Sequence, residues 1–113
     1  MNTQIEYKKG ILFIKISGVL VGNKINKFES EVIPIVLGLQ AGNITINMND
    51  ISLIDKRGIN SLIKISNLSN KFNGKLVLCN LNDYLKSNFK HSDIFDYCFK
   101  SKNEKSSVEV FKI

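Results

Sequence analysis

The chain has 113 residues, 43% of them hydrophobic and 23% charged, with one Pro, no Trp and a net charge of +6. That length supports one domain spanning 1–113 with one core, large enough to bury roughly two-thirds of its extended surface without staples. It excludes a membrane span, because no apolar run approaches ~20 residues, and residues 1–10 lack the apolar stretch of a signal peptide.

Ile5–Lys8 and Ile11–Ser17 read as a first hairpin turned at Lys9-Gly10, with Gly18 and Gly22 marking the exit. Asn23 is the expected cap of a helix whose apolar positions Ile25, Phe28, Val32, Val36 and Leu39 recur at three- and four-residue spacing. Pro34 falls inside that helix, where it removes one backbone donor and is expected to bend the last turns. Gly38 and Gly42 then break the chain. Ile44, Ile46 and Met48 alternate with Thr45, Asn47 and Asn49, the pattern of a strand with one buried face. Ile51–Ile54 reads as a short apolar connection. Ile59, Leu62, Ile63, Ile65, Leu68 and Phe72 mark a second helix, stopped by a left-handed residue at Asn73-Gly74. Leu76–Cys79 is a compact strand, Asn82 caps a third helix carrying Leu85 and Phe89, Tyr97–Phe99 is a short strand, and Glu104–Phe111 is a final helix. The order β-β-α-β-α-β-α-β-α predicts an α/β fold: a mixed sheet of four to five strands with right-handed crossovers and helices packed mainly on one face.

The charge is unevenly placed. Residues 1–55 and 91–113 each balance their lysines against acids, whereas 56–90 hold seven basic residues and one acid, Asp83. No Arg cluster, basic tail or aromatic stacking motif accompanies this surplus, so an acidic protein surface is a better match than nucleic acid. Cys79 and Cys98 have no C-x-x-C spacing and the chain has one His, His91, which argues against a zinc site and for buried, reduced thiols in a cytoplasmic protein. His91 reads as an ordinary surface residue, and Tyr84, Phe95, Tyr97 and Phe99 as core or core edge. No Walker-type or dinucleotide glycine loop occurs, and no carboxylate pair is set for acid–base work, so no cofactor and no enzymatic activity are expected.

The junction Asp55-Lys56-Arg57-Gly58 carries the most functional information, and Arg57 is the only arginine. A strand feeding a helix leaves backbone N–H groups exposed with the positive end of the helix dipole behind them. Two readings of Asp55 stand side by side: a helix-capping carboxylate worth about 1 kcal/mol, or a partner-facing residue. Gly58 allows close backbone approach at the helix start. At 100° per residue Arg57, Lys64 and Lys71 fall along one stripe with Asn60 and Asn67 beside them. This helix carries no acid after Asp55, a pattern that fits either a solvated face or a docking surface for an acidic partner. Ser52, Ser61, Ser66 and Ser69 are alternative sites for modification.

These pieces in order resemble the STAS domain of anti-sigma factor antagonists: Gly18-Val19-Leu20, the first amphipathic helix, Ile44–Asn49, Asp50-Ile51-Ser52-Leu53-Ile54-Asp55, Gly58-Ile59, Lys75–Cys79, and Ser92-Asp93-Ile94-Phe95. The resemblance implies a non-catalytic module that binds an anti-sigma factor acting also as a kinase. In that family the kinase phosphorylates the hydroxyl residue before the motif glycine, within a typical Asp-Ser-Ser-Gly, and the added charge weakens the complex. This chain departs there: Lys56 and Arg57 replace the hydroxyl pair, Arg57 takes the phosphoacceptor position, and Val21 stands where many members have Asp. The resemblance thus implies a partner-binding face of Asp55, Lys56, Arg57, Gly58, Asn60, Ser61, Lys64 and Lys71, not switched by phosphorylation at 57. Two other readings stay open: a STAS subunit held permanently in a larger complex (a stressosome-like scaffold or a lipid-transporter accessory subunit), and an anion or nucleotide held at the start of the second helix. The lysine-, isoleucine- and asparagine-rich composition suits an AT-rich bacterial genome.

Overall fold

Lys9 and Gly10 both have positive φ (54° and 79°), the geometry of a two-residue hairpin turn whose twist matches its strands. It joins β1 (Asn2–Lys8) to β2 (Ile11–Leu20), which pair antiparallel from Asn2↔Ser17 to Lys8↔Ile11. The computed structural model describes residues 1–112. After β2 come α1 (Asn23–Leu39), β3 (Asn43–Ile54), α2 (Lys56–Lys71), β4 (Leu76–Cys79), α3 (Asp83–Lys90), a 3-10 turn (Ile94–Asp96), β5 (Phe99–Ser101) and α4 (Glu104–Phe111). The strands lie in chain order in one five-stranded sheet, β2 to β5 parallel. The mixed sheet and the alternation of elements are as the sequence order predicts.

Alternation decides the layers. Ile44, Ile46 and Met48 of β3 face a core shared with Ile14 and Ile16 of β2, Phe28, Val32 and Val36 of α1, and Leu62 and Ile65 of α2. Leu85 and Phe89 of α3 and Ile94 close the same core. Thr45 and Asn47 point the other way, where α4 covers them: Thr45 Oγ1 donates to Ser107 Oγ (2.9 Å) and Asn47 Nδ2 to Glu104 Oε2 (2.7 Å). Three helices therefore cover one face and α4 part of the other.

Five local expectations are corrected. Ile51–Ile54 is not a connection but the end of β3, pairing with the bulged end of β2 (Gly18↔Ile51, Leu20↔Ile54). Two register shifts there break the period-two pattern, which is why those residues do not read as strand. α1 is capped by Gly22, φ 56° and ψ −134°, with no side-chain bond, and Asn23 is its first residue. The final strand lies two residues later than Tyr97–Phe99, because Tyr97 and Cys98 both give their N–H groups to the Ile94 carbonyl (3.0 and 3.2 Å). Tyr84, Tyr97 and Phe99 are exposed (37%, 43% and 47%) and not at the core edge. Asn73 does stop α2 in the left-handed region (φ 65°), and Asn82 does cap α3, its Oδ1 accepting from the Leu85 N–H at 2.8 Å. α1 continues through Pro34 and Gly38 to Leu39, so Gly38 does not break the chain as the sequence suggests.

Candidate functional site

β3 delivers the chain to α2 at a rigid corner. The Tyr84 hydroxyl of α3 accepts from the Ile54 N–H (3.0 Å) and donates to the Ile54 carbonyl (3.2 Å), fixing the last strand residue. Asp55 follows in extended conformation (φ −111°, ψ −178°), and its Oδ1 accepts from the Gly58 N–H at 2.8 Å. Its carbonyl accepts from the Ile59 N–H at 3.0 Å. The capping reading of Asp55 is therefore realised in the geometry. Of the first-turn amides of α2, those of Gly58 and Ile59 are thereby engaged.

Gly58 is buried where the first turn of α2 crosses β2. A Cβ there would press on the Leu20 carbonyl oxygen and lie 2.8 Å from Ile54 Cγ1. No side chain fits, so the glycine holds the helix start tight against the sheet. That leaves Lys56 and Arg57 exposed on the outer side of the turn.

Further along α2, Asn60, Lys64, Asn67 and Lys71 are exposed on the same side as Arg57, so the stripe faces solvent. It is not uniformly positive. Glu29 of α1 reaches across: its Oε2 accepts from Ser61 Oγ (2.7 Å) and its Oε1 from Lys64 Nζ (3.0 Å). Burial pushes the Glu29 carboxyl up, but the bonds from Ser61 and Lys64 and the lysine charge outweigh it, leaving the group below the usual carboxylate range. Lys64 is thus balanced from within the molecule. Lys56, Arg57 and Lys71 have no carboxylate within ion-pair distance among the described residues. Ile25, Asn26 and Glu29 of α1 form a shallow groove with Arg57, Asn60 and Ser61 of α2.

Ser61 is buried (3% exposed), as are Ser66 and Ser69, whose hydroxyls donate to the carbonyls of Tyr97 and Gly42. Of the four serines, Ser52 alone is exposed. Sequence reasoning missed Glu29 and Tyr84. Tyr84 gave no signal, and Glu29 lies 32 and 35 residues from its partners. His91 is exposed after the end of α3. Cys79 and Cys98 are buried free thiols, both pushed up to about 12 by burial, Cys79 also by the Glu104 carboxylate. Among the described residues no three His, Cys, Asp or Glu could hold a metal, and no helix is long and apolar enough to cross a membrane.

Solved structures with this fold include a Thermotoga maritima protein assigned as an anti-sigma factor antagonist, at TM-score 0.89 and 12% identity over 98% of this chain and 95% of that one. The antagonist SpoIIAA in its unphosphorylated form aligns at 0.72 and 13%, covering 96% of each chain. A Moorella thermoacetica RsbS variant aligns at 0.79 and 15%, covering 97% of this chain and 94% of that one. No curated protein gives a significant sequence match. The sequence itself matches the STAS domain family over residues 2–108. With that match across nearly its whole length, a bulged β2–β3 pair and a capped β3–α2 corner, the chain belongs to the STAS domain family.

Proposed function

We propose that this chain is a regulatory protein-binding module of the anti-sigma factor antagonist kind whose partner contact is not switched by phosphorylation at position 57. The observation that carries it is Arg57: an exposed guanidinium on the first turn of α2, held outward by the Asp55 cap and the Gly58 close approach. In the family pattern that position carries a hydroxyl, and adding nearly two negative charges there weakens the complex. A guanidinium accepts no phosphate from a serine/threonine kinase and supplies a permanent positive charge. The partner face is formed by Asp55, Lys56, Arg57, Gly58, Asn60, Ser61, Lys64 and Lys71. Ser61 and Gly58 support this face from below, and the acidic partner surface meets Lys56, Arg57 and Lys71. The module performs no chemistry and works in the cytoplasm.

The test is a calorimetric titration against a cognate anti-sigma kinase from the native host, with and without ATP, followed by intact-mass spectrometry. Binding that ATP does not weaken, with no phosphate added, is expected. Stoichiometric phosphate on Ser52, with loss of the complex, would overturn it. The same unswitchable residue also favours a second reading, a STAS subunit kept permanently in a stressosome-like or lipid-transporter assembly. Co-purification that resists both salt and ATP, with transporter subunits in place of a kinase, separates the two.

A further inference from the structure

The carboxyl ends of β4 and β5 open a second site, away from the α2 face. From β4 the chain leaves through Asn80 to α3 on the core face of the sheet, whereas from β5 it leaves through Lys102 to α4 on the opposite face. Adjacent strands whose connections part to opposite faces leave a crevice between them, and in open α/β sheets such crevices at the carboxyl ends bind ligands. Here the crevice is half open to solvent and has a volume of about 590 Å³, within the range of sites for small molecules.

Its lining is chemically one-sided. Lys86 of α3, Lys100 of β5 and Lys102 just beyond it converge there with Asn49, Asn80 and Ser101, and no carboxylate lines it. None of the three lysines makes an ion pair among the described residues, although four other lysines of the chain do. Lys100 is steadied from the side, its ammonium 5.5 Å from the Phe95 ring centroid. The backbone at the floor is fixed: Asn80 donates its N–H to the Lys102 carbonyl (3.2 Å) and so ties the two strand exits together. Three lysines from two separate elements, with no carboxylate among the lining residues, give the crevice a positive field. An anion with several oxygens complements that field and can accept from the lysine and asparagine donors of the lining.

We propose that this crevice binds a small phosphate-bearing anion. The site is independent of Arg57, so its occupancy and the partner contact at α2 can be varied separately. The experiment is an amide-resolved NMR titration of the labelled full chain at low salt with inorganic phosphate, pyrophosphate and a nucleoside diphosphate. Saturable shifts are expected at Asn80, Leu81, Ser101 and Lys102, larger affinity for pyrophosphate than for phosphate, and weakening with added chloride. Tighter binding of the nucleotide than of pyrophosphate assigns the site to nucleotides; equal binding assigns it to the phosphate group alone. The double variant Lys86→Gln, Lys102→Gln is expected to raise Kd by at least about tenfold, the scale of one lost charge-assisted hydrogen bond. Both side chains are exposed, so an unchanged melting curve shows that the variant is folded. Arg57→Glu is expected to leave anion binding unaltered. No saturable shift by about 10 mM ligand, shifts centred on Lys56–Ile59, or undiminished binding by the double variant would overturn the proposal.

Discussion

Replacing Gly58 with Ala sets two calculable effects against each other. In an exposed helix the change would stabilise by about 0.5–1 kcal/mol, through the entropy a glycine loses on folding. Here the new methyl presses on the Leu20 carbonyl oxygen, 2.8 Å from Ile54 Cγ1 and 3.3 Å from Leu20 Cγ. Carbon–carbon contacts settle near ~3.5–4.0 Å, so the first turn of α2 has to retreat from β2. Overpacking of this sort costs about 1–3 kcal/mol, and the upper part of that range applies because backbone, not a flexible side-chain tip, is in the way. A net loss of about 1–2 kcal/mol lowers the melting temperature by roughly 4–8 °C for a chain of this size. Circular dichroism melting measures it, with Gly38→Ala as the control: Gly38 lies in the last turn of α1, and a methyl added there meets nothing within 4 Å, so that variant should hold or gain stability. The retreat also displaces Arg57, so partner binding should weaken at temperatures where the variant remains folded. A Gly58→Ala protein that melts at or above the parent would refute the close approach and the account of how the site is positioned.

Three further outcomes follow from the same geometry. Arg57→Glu should weaken binding to an acidic partner and reduce its salt sensitivity, by as much as roughly 2–5 kcal/mol if the contact is fully buried, while Lys112→Glu, the same charge change in an exposed residue beyond α4, should have little effect; titration calorimetry at two salt concentrations compares them. Glu29→Gln should cost about 0.5–1 kcal/mol at neutral pH, the scale of a part-exposed pair. Because the folded carboxyl lies below its ordinary value of 4.5, that difference is present above pH 4.5 and shrinks as the pH falls through the lowered folded value, which denaturant melts at several pH values will reveal. The same variant releases Lys64 and should tighten binding to an acidic partner. Cys79 and Cys98, buried with their thiols held near 12, should resist a thiol reagent at mildly alkaline pH in the folded protein and react at once in denaturant.

Local chemistry made most of the fold legible. The turn at Lys9-Gly10, the cap at Asn82 and the stop at Asn73 each rest on a residue whose own conformational or hydrogen-bonding preference decides the outcome. The end of β3 was not legible for the opposite reason. Ile51 and Ile54 are strand only because Gly18 and Leu20 pair with them across two bulges, and bulge positions depend on both strands together. The short β5 was displaced likewise, since the Ile94 carbonyl takes the two N–H groups that would have begun it.

The candidate site divides along the same line. Asp55, Arg57 and Gly58 are neighbours in sequence, and their cap, exposure and close approach follow from a strand entering a helix. The charge of the stripe does not follow from α2 alone. Lys64 looked unopposed because no acid shares its helix, yet Glu29 of α1 meets it at 3.0 Å and takes the Ser61 hydroxyl as well. Helix-wheel reasoning counts charges on one cylinder, whereas the field a partner meets is that of two packed cylinders. The consequence is a gradient and not a uniform stripe. Among the described residues, positive charge without an ion-pair partner concentrates at Lys56 and Arg57 on the first turn, fades at Lys64, and returns at Lys71 in the last turn. An acidic partner steered by that field is drawn first to the α2 N-terminus, where the helix dipole adds to the two cations. On the proposed reading, that is the position at which the family pattern would place a negative phosphate, and the Arg57 guanidinium would set a fixed positive charge there instead.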